Sequence, residues 1–503
     1  MKFFLRTRSG FPAVCALAAA ALFCSSASGA GVVPVKKAIP AVKTLTLDEA
    51  VQVALRQNPD IRRAKQEIER TRGVVIEVRA QALPLVAATS SYTQQDRNLL
   101  ESGGQSSSIS GVTGESSGTA QSSNAASSSG GSSAGSHDKS WRVAIEAKQV
   151  LYAGGQVRAA LNIAKLTQES SFYTLRDTVD RVITQVRQQF YAVLLNRSLI
   201  VVQEESIKLL ESQLADQRSR FDAGTVPRFN VLRAEVELAN VVPELIRARN
   251  NLLIAQLQLA KTLALEPAGT PDAAPVNARG ELLGNGAPLP LGQALAHAKA
   301  QRASLKVQRQ NLLLEAEQIK VALAGYKPRV TANAGYELQN SRLSQDLDDT
   351  VNGWFFGFQG TWNIFDGLET HGKVIQARAR LESARVNYLD SVQQVELEVQ
   401  QAFAKVNEAR QLIASQGKTI EQAQEALRLA RERLDAGAGT QLEVLDARTA
   451  LTRSQVTELQ ARYDYNFAKA EYDRAAASDT QYQETFDDPL TRKGKPNAFK
   501  SVR

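Results

Sequence analysis

Two hydrophobic rhythms alternate along the chain, and the alternation happens twice. A helical stretch opens at Thr46-Leu47-Asp48-Glu49, where Thr46 and Glu49 stand at capping-box spacing. The rhythm then drops to period two. From Arg329 to Leu338, Val330, Ala332, Ala334, Tyr336 and Leu338 share one face, while Arg329, Thr331, Asn333 and Glu337 share the other. Trp141, Val143, Ile145 and Ala147 alternate likewise with Arg142, Ala144, Glu146 and Lys148. Trp354, Phe356, Phe358, Trp362 and Ile364 lie opposite Gln359, Thr361 and Asn363, so all three tryptophans fall on these faces. Each segment is about ten residues long, the length of a tilted strand crossing a bilayer.

Long helices follow the strands. Gly155 and Gly224 bracket 68 residues free of Gly and Pro; Gly372 and Gly437 bracket 64, interrupted only by Gly417. At 1.5 Å per residue each runs roughly 100 Å, far beyond a globular helix. Leu381, Ala384, Tyr388, Val392, Val395, Val399, Phe403 and Val406 recur at three- and four-residue steps beside polar neighbours. That pattern predicts coiled-coil packing along narrow seams. Each long helix ends at a Gly-bearing turn, and a second helix returns, over Phe229 to Leu265 and Gln441 to Ala477. Pro243 is expected to kink the first return helix without ending it.

The two passes are copies of one plan. A shift of 244 positions superposes Leu47 on Leu291, Ala50 on Ala294, Pro84 on Pro328 and Tyr92 on Tyr336 without a gap. Beyond the next aromatic the shift is 213, carrying Trp141 to Trp354 and Asp222-Ala223-Gly224 to Asp435-Ala436-Gly437. The difference, 31 residues, lies between Tyr92 and Trp141. It corresponds to a Ser/Gly-rich tract at 101–136, too polar to bury a core and expected to be a dispensable surface loop. The organisation expected is a first repeat at 45–265 with a hairpin at about 85–150, and a second at 289–478 with a hairpin at about 328–364. Linkers occupy 31–44 and 266–288, and a polar tail occupies 479–503.

Residues 1–30 read as a signal peptide: basic Lys2, Arg6 and Arg8, an apolar core from Ala13 to Phe23, and a small-residue cleavage site at Ser28-Gly29-Ala30. Both cysteines, Cys15 and Cys24, lie inside it, which leaves the exported chain neither disulfide nor thiolate metal site. No later stretch is apolar for 18 residues, so a spanning helix is not expected. The net charge of +8 is spread over helix faces rather than gathered in a patch, which argues against nucleic acid. His137, His297 and His371 have no metal-ligand spacing and are expected to be solvated. Glu204-Glu205 reads as a solvated helix face. No nucleophile motif, phosphate loop or ligand cluster points to an enzyme or to a cofactor.

Four strands cannot close a membrane barrel, and an open sheet edge in lipid is too costly to leave unpaired. The chain must share its barrel with copies of itself. The order helix, hairpin, long helix, turn and return helix, given twice, resembles the TolC family over roughly Leu45 to Ser478. The motifs carrying the resemblance are Phe221-Asp-Ala-Gly224 with Val231-Leu232-Arg-Ala234, and Leu434-Asp-Ala-Gly437 with Val444-Leu445-Asp-Ala447.

The resemblance implies a mixed, mainly α fold: a homotrimeric 12-strand outer-membrane barrel, four strands per chain, continuing into a periplasmic α-helical barrel. It implies a passive exit duct of a tripartite efflux pump or type I secretion system, working with a periplasmic adaptor (membrane fusion) protein and an inner-membrane RND or ABC transporter. Tyr92, Trp141, Tyr336, Trp354, Phe356, Phe358 and Trp362 would then face outer-membrane lipid, and the tips around Phe221, Gly224, Leu434 and Gly437 would face the adaptor. Glu443 and Asp446, three apart at a helix start, would ring the constricted entrance and select cations. Helix-start acids favoured by the dipole are the plainer alternative for this pair. Where the family latches its closed state with a tyrosine, an arginine and an acid, this chain carries Leu434, Gly439 and Asn230. Other contacts are therefore expected to hold the entrance. The competing whole-chain reading is an exported periplasmic coiled-coil protein without a pore.

Overall fold

The computed structural model describes residues 43–94, 139–265, 276–284, 286, 288–340 and 350–478. The signal peptide, the Ser/Gly-rich tract, the polar tail, His137 and most of both linkers lie outside the described residues.

The first copy comprises β1 (Lys43–Leu45), α1 (Leu47–Gln57), α2 (Pro59–Ala80), β2 (Leu85–Gln94), β3 (Lys139–Ala153), α3 (Gln156–Asp222) and α4 (Arg228–Thr262). The second comprises β4 (Val276–Ala278), α5 (Leu291–Gln301), α6 (Ala303–Leu323), β5 (Arg329–Asn340), β6 (Thr350–Thr361), α7 (Glu369–Asp435) and α8 (Gln441–Ala475). The repeat holds to the residue: α3 and α7 are both 67 residues long, α4 and α8 both 35, α1 and α5 both 11. Pro243 lies within α4, which runs on past it.

Local chemistry explains the breaks. Thr46 opens α1 and receives the Glu49 carboxylate on its backbone N–H at 2.9 Å. Asn58 separates α1 from α2: its Oδ1 accepts from Asp60 N at 2.8 Å, and Pro59 takes the first helical position, where no N–H is needed. Asn58 Nδ2 then donates to the carbonyl of Thr262 at 2.8 Å. Arg302 is its counterpart in the second copy. Arg302 donates to the carbonyl of Ala475, the counterpart of Thr262, and pairs with Glu398. Different side chains thus clamp the same two elements together in each copy.

The helices lie side by side. Near the sheet the order is α2–α3–α6–α7; toward the turns α4 and α8 replace α2 and α6, flanking α3 and α7. Each copy has its own core. One is built on Val182, Val186, Phe190, Val193 and Leu259, the other on Val395, Val399, Val406, Tyr465 and Tyr472. The seam anticipated along α7 is where these side chains go, with Val395, Val399 and Val406 buried and Val392 and Phe403 packed beside them. Burying each such side chain contributes about 1.5–3 kcal/mol. Tyr472 donates its hydroxyl to the carbonyl of Leu289 at 2.8 Å, and Tyr465 bonds Gly286, fastening the inter-repeat segment to α8.

The ends of the two linkers carry regular structure: Lys43–Leu45 pairs in parallel with Val276–Ala278. The pairing satisfies their backbones and buries Leu45, Val276 and Ala278 in the first core. One expectation needs correction: His297 is not solvated. It is half-buried, and its Nδ1 lies 2.8 Å from the carbonyl of Ala476, closing the end of α8. Alanine and lysine around it gave no hint of that acceptor. His371 is exposed.

Candidate functional site

At one end of the helices is a four-stranded antiparallel sheet in the order β2-β3-β5-β6. Its register puts Tyr92 opposite Trp141, Ile145 opposite Tyr336, and Tyr336 opposite Trp354. Ala334 meets Phe356 and Ala332 meets Phe358. Paired residues share a face, so the aromatics of both hairpins form one apolar surface. Trp354 is 81% exposed and Phe358 64%, and contiguous exposed apolar surface of this kind marks contact with membrane or with another protein. Phe356 packs edge-on against Phe358, ring centroids 4.8 Å apart. Trp362, beyond the last strand, donates its indole N–H to the carbonyl of Tyr326 at 3.1 Å. A bulge between Val150 and Tyr152 restores Tyr152 to the apolar side, opposite Val330. Strict alternation in the sequence gave no sign of that bulge. The opposite face is polar, with Arg142 bound to Glu337 at 2.6 Å.

At the other end are the two turns. Gly224 and Gly437 adopt left-handed φ angles of 71° and 73°. Thr225 N donates to Arg220 O at 2.9 Å and Gly224 N to Phe221 O at 2.8 Å; Ala438 N to Arg433 O at 2.9 Å and Gly437 N to Leu434 O at 3.1 Å repeat the pattern. These are Schellman closures, which need a residue without a Cβ penalty at the left-handed position. Phe221 is exposed beside the first turn. Leu434 instead packs with Leu427, Ala430 and Val444, and Leu209 of α3 joins them. Gly439 lies so close to Arg433 that a Cβ there would come within 3.0 Å of its backbone, so an arginine in its place would have to displace the turn.

Glu443 and Asp446 both sit in the opening turns of α8. Glu443 N donates to Thr440 Oγ1 at 3.3 Å, and the Glu443 carboxylate lies 3.5 Å from Arg433. Part of its charge is thus committed locally. Asp446 is exposed, and its carboxylate makes no hydrogen bond or ion pair among the described residues. Glu204, far along α3, is bound to Arg249 at 2.9 Å rather than merely solvated.

Beneath the turns lies a cavity of about 230 Å³ between α3, α7 and α8, lined by Gln217, Arg220, Asp435 and Arg448 among others. Arg448 is 5% exposed, and its Nε and Nη1 have no partner, nor does Oε1 of Gln217. Burial pushes the Arg448 guanidinium below its ordinary value, with Glu237 opposing. Nothing in the sequence distinguished Arg448 from the other arginines, because its burial depends on α3 crossing α8.

A one-faced apolar sheet thus continues into two long helices of 67 residues each, with their return helices. The chain belongs to the outer membrane efflux protein family, whose model matches residues 50–265 and 294–477. It is 28% identical to outer membrane efflux protein BepC of Brucella suis over 37% of this chain and 40% of that protein. It is 25% identical to outer membrane protein TolC of Escherichia coli over 50% of this chain and 52% of that one. The chain thus spans about half the length of the curated relatives it matches. Its fold is that of the Campylobacter jejuni CmeC outer membrane channel, at TM-score 0.70, 17% identity, 87% of this chain and 88% of that chain. Membership places the chain in the outer membrane, in a family of transport channels and not of enzymes.

Proposed function

We propose that the chain is the passive outer-membrane exit duct of a tripartite efflux pump or type I secretion system. Three copies close a twelve-strand barrel, and their helices form the periplasmic tunnel. The observation carrying this reading is the sheet itself: β2 and β6 are open edges, and the faces between them are apolar on one side and polar on the other. Lipid tolerates no open edge, and only further copies of the sheet remove both. The duct does no chemistry on its cargo. A periplasmic adaptor and an inner-membrane RND or ABC transporter supply contact and energy at the helical tips, around Phe221, Gly224, Leu434 and Gly437. Glu443 and Asp446 line the entrance there.

Membrane fractions washed with high salt, then extracted with detergent, test this. The chain should appear only in the detergent extract, with the mass of a trimer, and should form pores in planar bilayers. Release by salt alone, or a stable monomer in detergent, would mean a periplasmic coiled-coil protein instead.

A further inference from the structure

Where the sheet meets the helices there is a cavity of about 550 Å³, distinct from the tips. Four cations line it, Lys327, Arg329, Lys373 and Arg380, together with the amides of Gln318 and Asn363, and no carboxylate lines it. Among the described residues only the side chain of Lys373 is paired, to Glu369 at 2.5 Å; the side chains of Lys327, Arg329 and Arg380 make no hydrogen bond or ion pair there. The nearby acid Asp366 is spent on Thr370, accepting its N–H at 2.9 Å.

The fold does not require this set. Under the shifts that relate the two copies, the four positions correspond to Leu83, Leu85, Ala160 and Thr167, all uncharged. The first copy builds the same junction without a cation at any of them. Arg329 is paired with Thr361 across β5 and β6, on the face opposite Trp354 and Phe358. The cavity therefore opens to the polar side of the sheet and away from lipid.

We propose that this cavity is an anion-binding station, which holds small multivalent anions (carboxylates or phosphates) at the base of the barrel as they pass. The inference rests on the duct reading, because the polar face becomes a lumen only when sheets close around it. Each cation then recurs in every copy around one lumen. Like charges gathered in one cavity repel one another, and a bound anion relieves that repulsion while accepting charge-assisted hydrogen bonds. Rings of Arg and Lys select anions in pores by the same means. The duct would then carry opposite signs at its two ends: carboxylates at the tips and cations at the sheet.

Citrate is a suitable probe. Calorimetric titration into the purified full chain, in non-ionic detergent at low ionic strength, should show binding that weakens as salt is added. The triple variant Lys327→Gln, Arg329→Gln, Arg380→Gln should lose affinity by about tenfold or more. The double variant Arg329→Lys, Arg380→Lys should keep most of it. In bilayers, citrate should block the wild-type pore and block the triple variant far less. No citrate binding by the wild type overturns the station, as happens if acids of a neighbouring copy neutralise the set; unchanged binding by the triple variant also overturns it. Citrate binding without any pore keeps the station and overturns the duct.

Discussion

Arg220 reaches across from the end of α3 to the end of α7, its Nη2 3.1 Å from Oδ1 of Asp435. It is a contact between the two copies of the repeat, at the tips that also carry Leu434, Gly439 and Asn230. The repeat gives it a second meaning. Arg220 corresponds to Arg433, and Asp435 to Asp222. In the proposed trimer the second tip of one chain would lie beside the first tip of the next, and the equivalent contact would be Arg433 with Asp222 of the neighbouring copy.

Two single variants follow, Arg220→Ala within the chain and Asp222→Ala between chains. Both should raise the conductance of the closed pore in single-channel recordings. Neither should change unfolding by more than about 1 kcal/mol, because exposed pairs are individually weak. The exchange Arg220→Asp with Asp435→Arg should restore the closed state. Wild-type conductance in both single variants would show that these pairs do not hold the entrance.

If Glu443 and Asp446 line the entrance as proposed, they should not contribute equally. Glu443 already faces Arg433, whereas Asp446 is uncompensated. Asp446→Asn should therefore lower cation preference and weaken block by multivalent cations more than Glu443→Gln does. Glu204→Gln, midway along α3, is the control and should leave selectivity unchanged. Equal, null effects at Glu443 and Asp446 would reduce them to helix-start acids.

Arg448 is a buried charge whose Nε and Nη1 lack acceptors. Replacing such a group by an apolar side chain of similar length removes an unmet desolvation cost. Arg448→Met should be neutral or stabilising by about 1–3 kcal/mol in denaturant unfolding of the detergent-solubilised protein. Arg448→Ala should destabilise by leaving a void. Destabilisation by the methionine would mean that a neighbouring copy supplies the missing acceptors.

Asp366 sets a pH dependence at the start of α7. Hydrogen bonds from the Thr370 hydroxyl, then from its N–H, hold the Asp366 carboxyl below the usual range. A group whose folded pKa is depressed stabilises above its unfolded value, about 3.9, and loses that contribution as pH falls through the folded value. Once the intrinsic pH dependence of amide exchange is divided out, the protection factors at the first turns of α7 should fall on acidification through that window. In Asp366→Ala they should already be low at neutral pH and nearly flat with acid. A wild-type profile in the variant would remove Asp366 from the cap.

Much of this fold is legible in sequence because its periodicities are long. Sixty-odd residues without Gly or Pro, bounded by Gly224 or Gly437, leave little room for anything but α3 and α7. The alternation from Trp354 to Phe358 displays its face directly. What escaped depends on three-dimensional crossings. His297 meets Ala476 only because α5 lies across the end of α8. Arg448 is buried where α3 and α7 both meet α8, and Arg302 takes the place of Asn58 by a different chemistry for the same acceptor position. The bulge before Tyr152 is a change of phase that alternation alone does not announce.

The matched lengths of α3 and α7 carry a consequence for how such a chain can change over time. One residue added within either helix turns everything beyond it by about 100° and lifts its tip by about 1.5 Å. The seam would face the wrong neighbour, and the two turns would no longer stand level on a common rim. An insertion or deletion within the long helices therefore breaks the match between the copies unless both acquire it together. The 31-residue difference between the copies falls between Tyr92 and Trp141, outside every long helix. Within this chain the helical walls work as a ruler that both halves read alike.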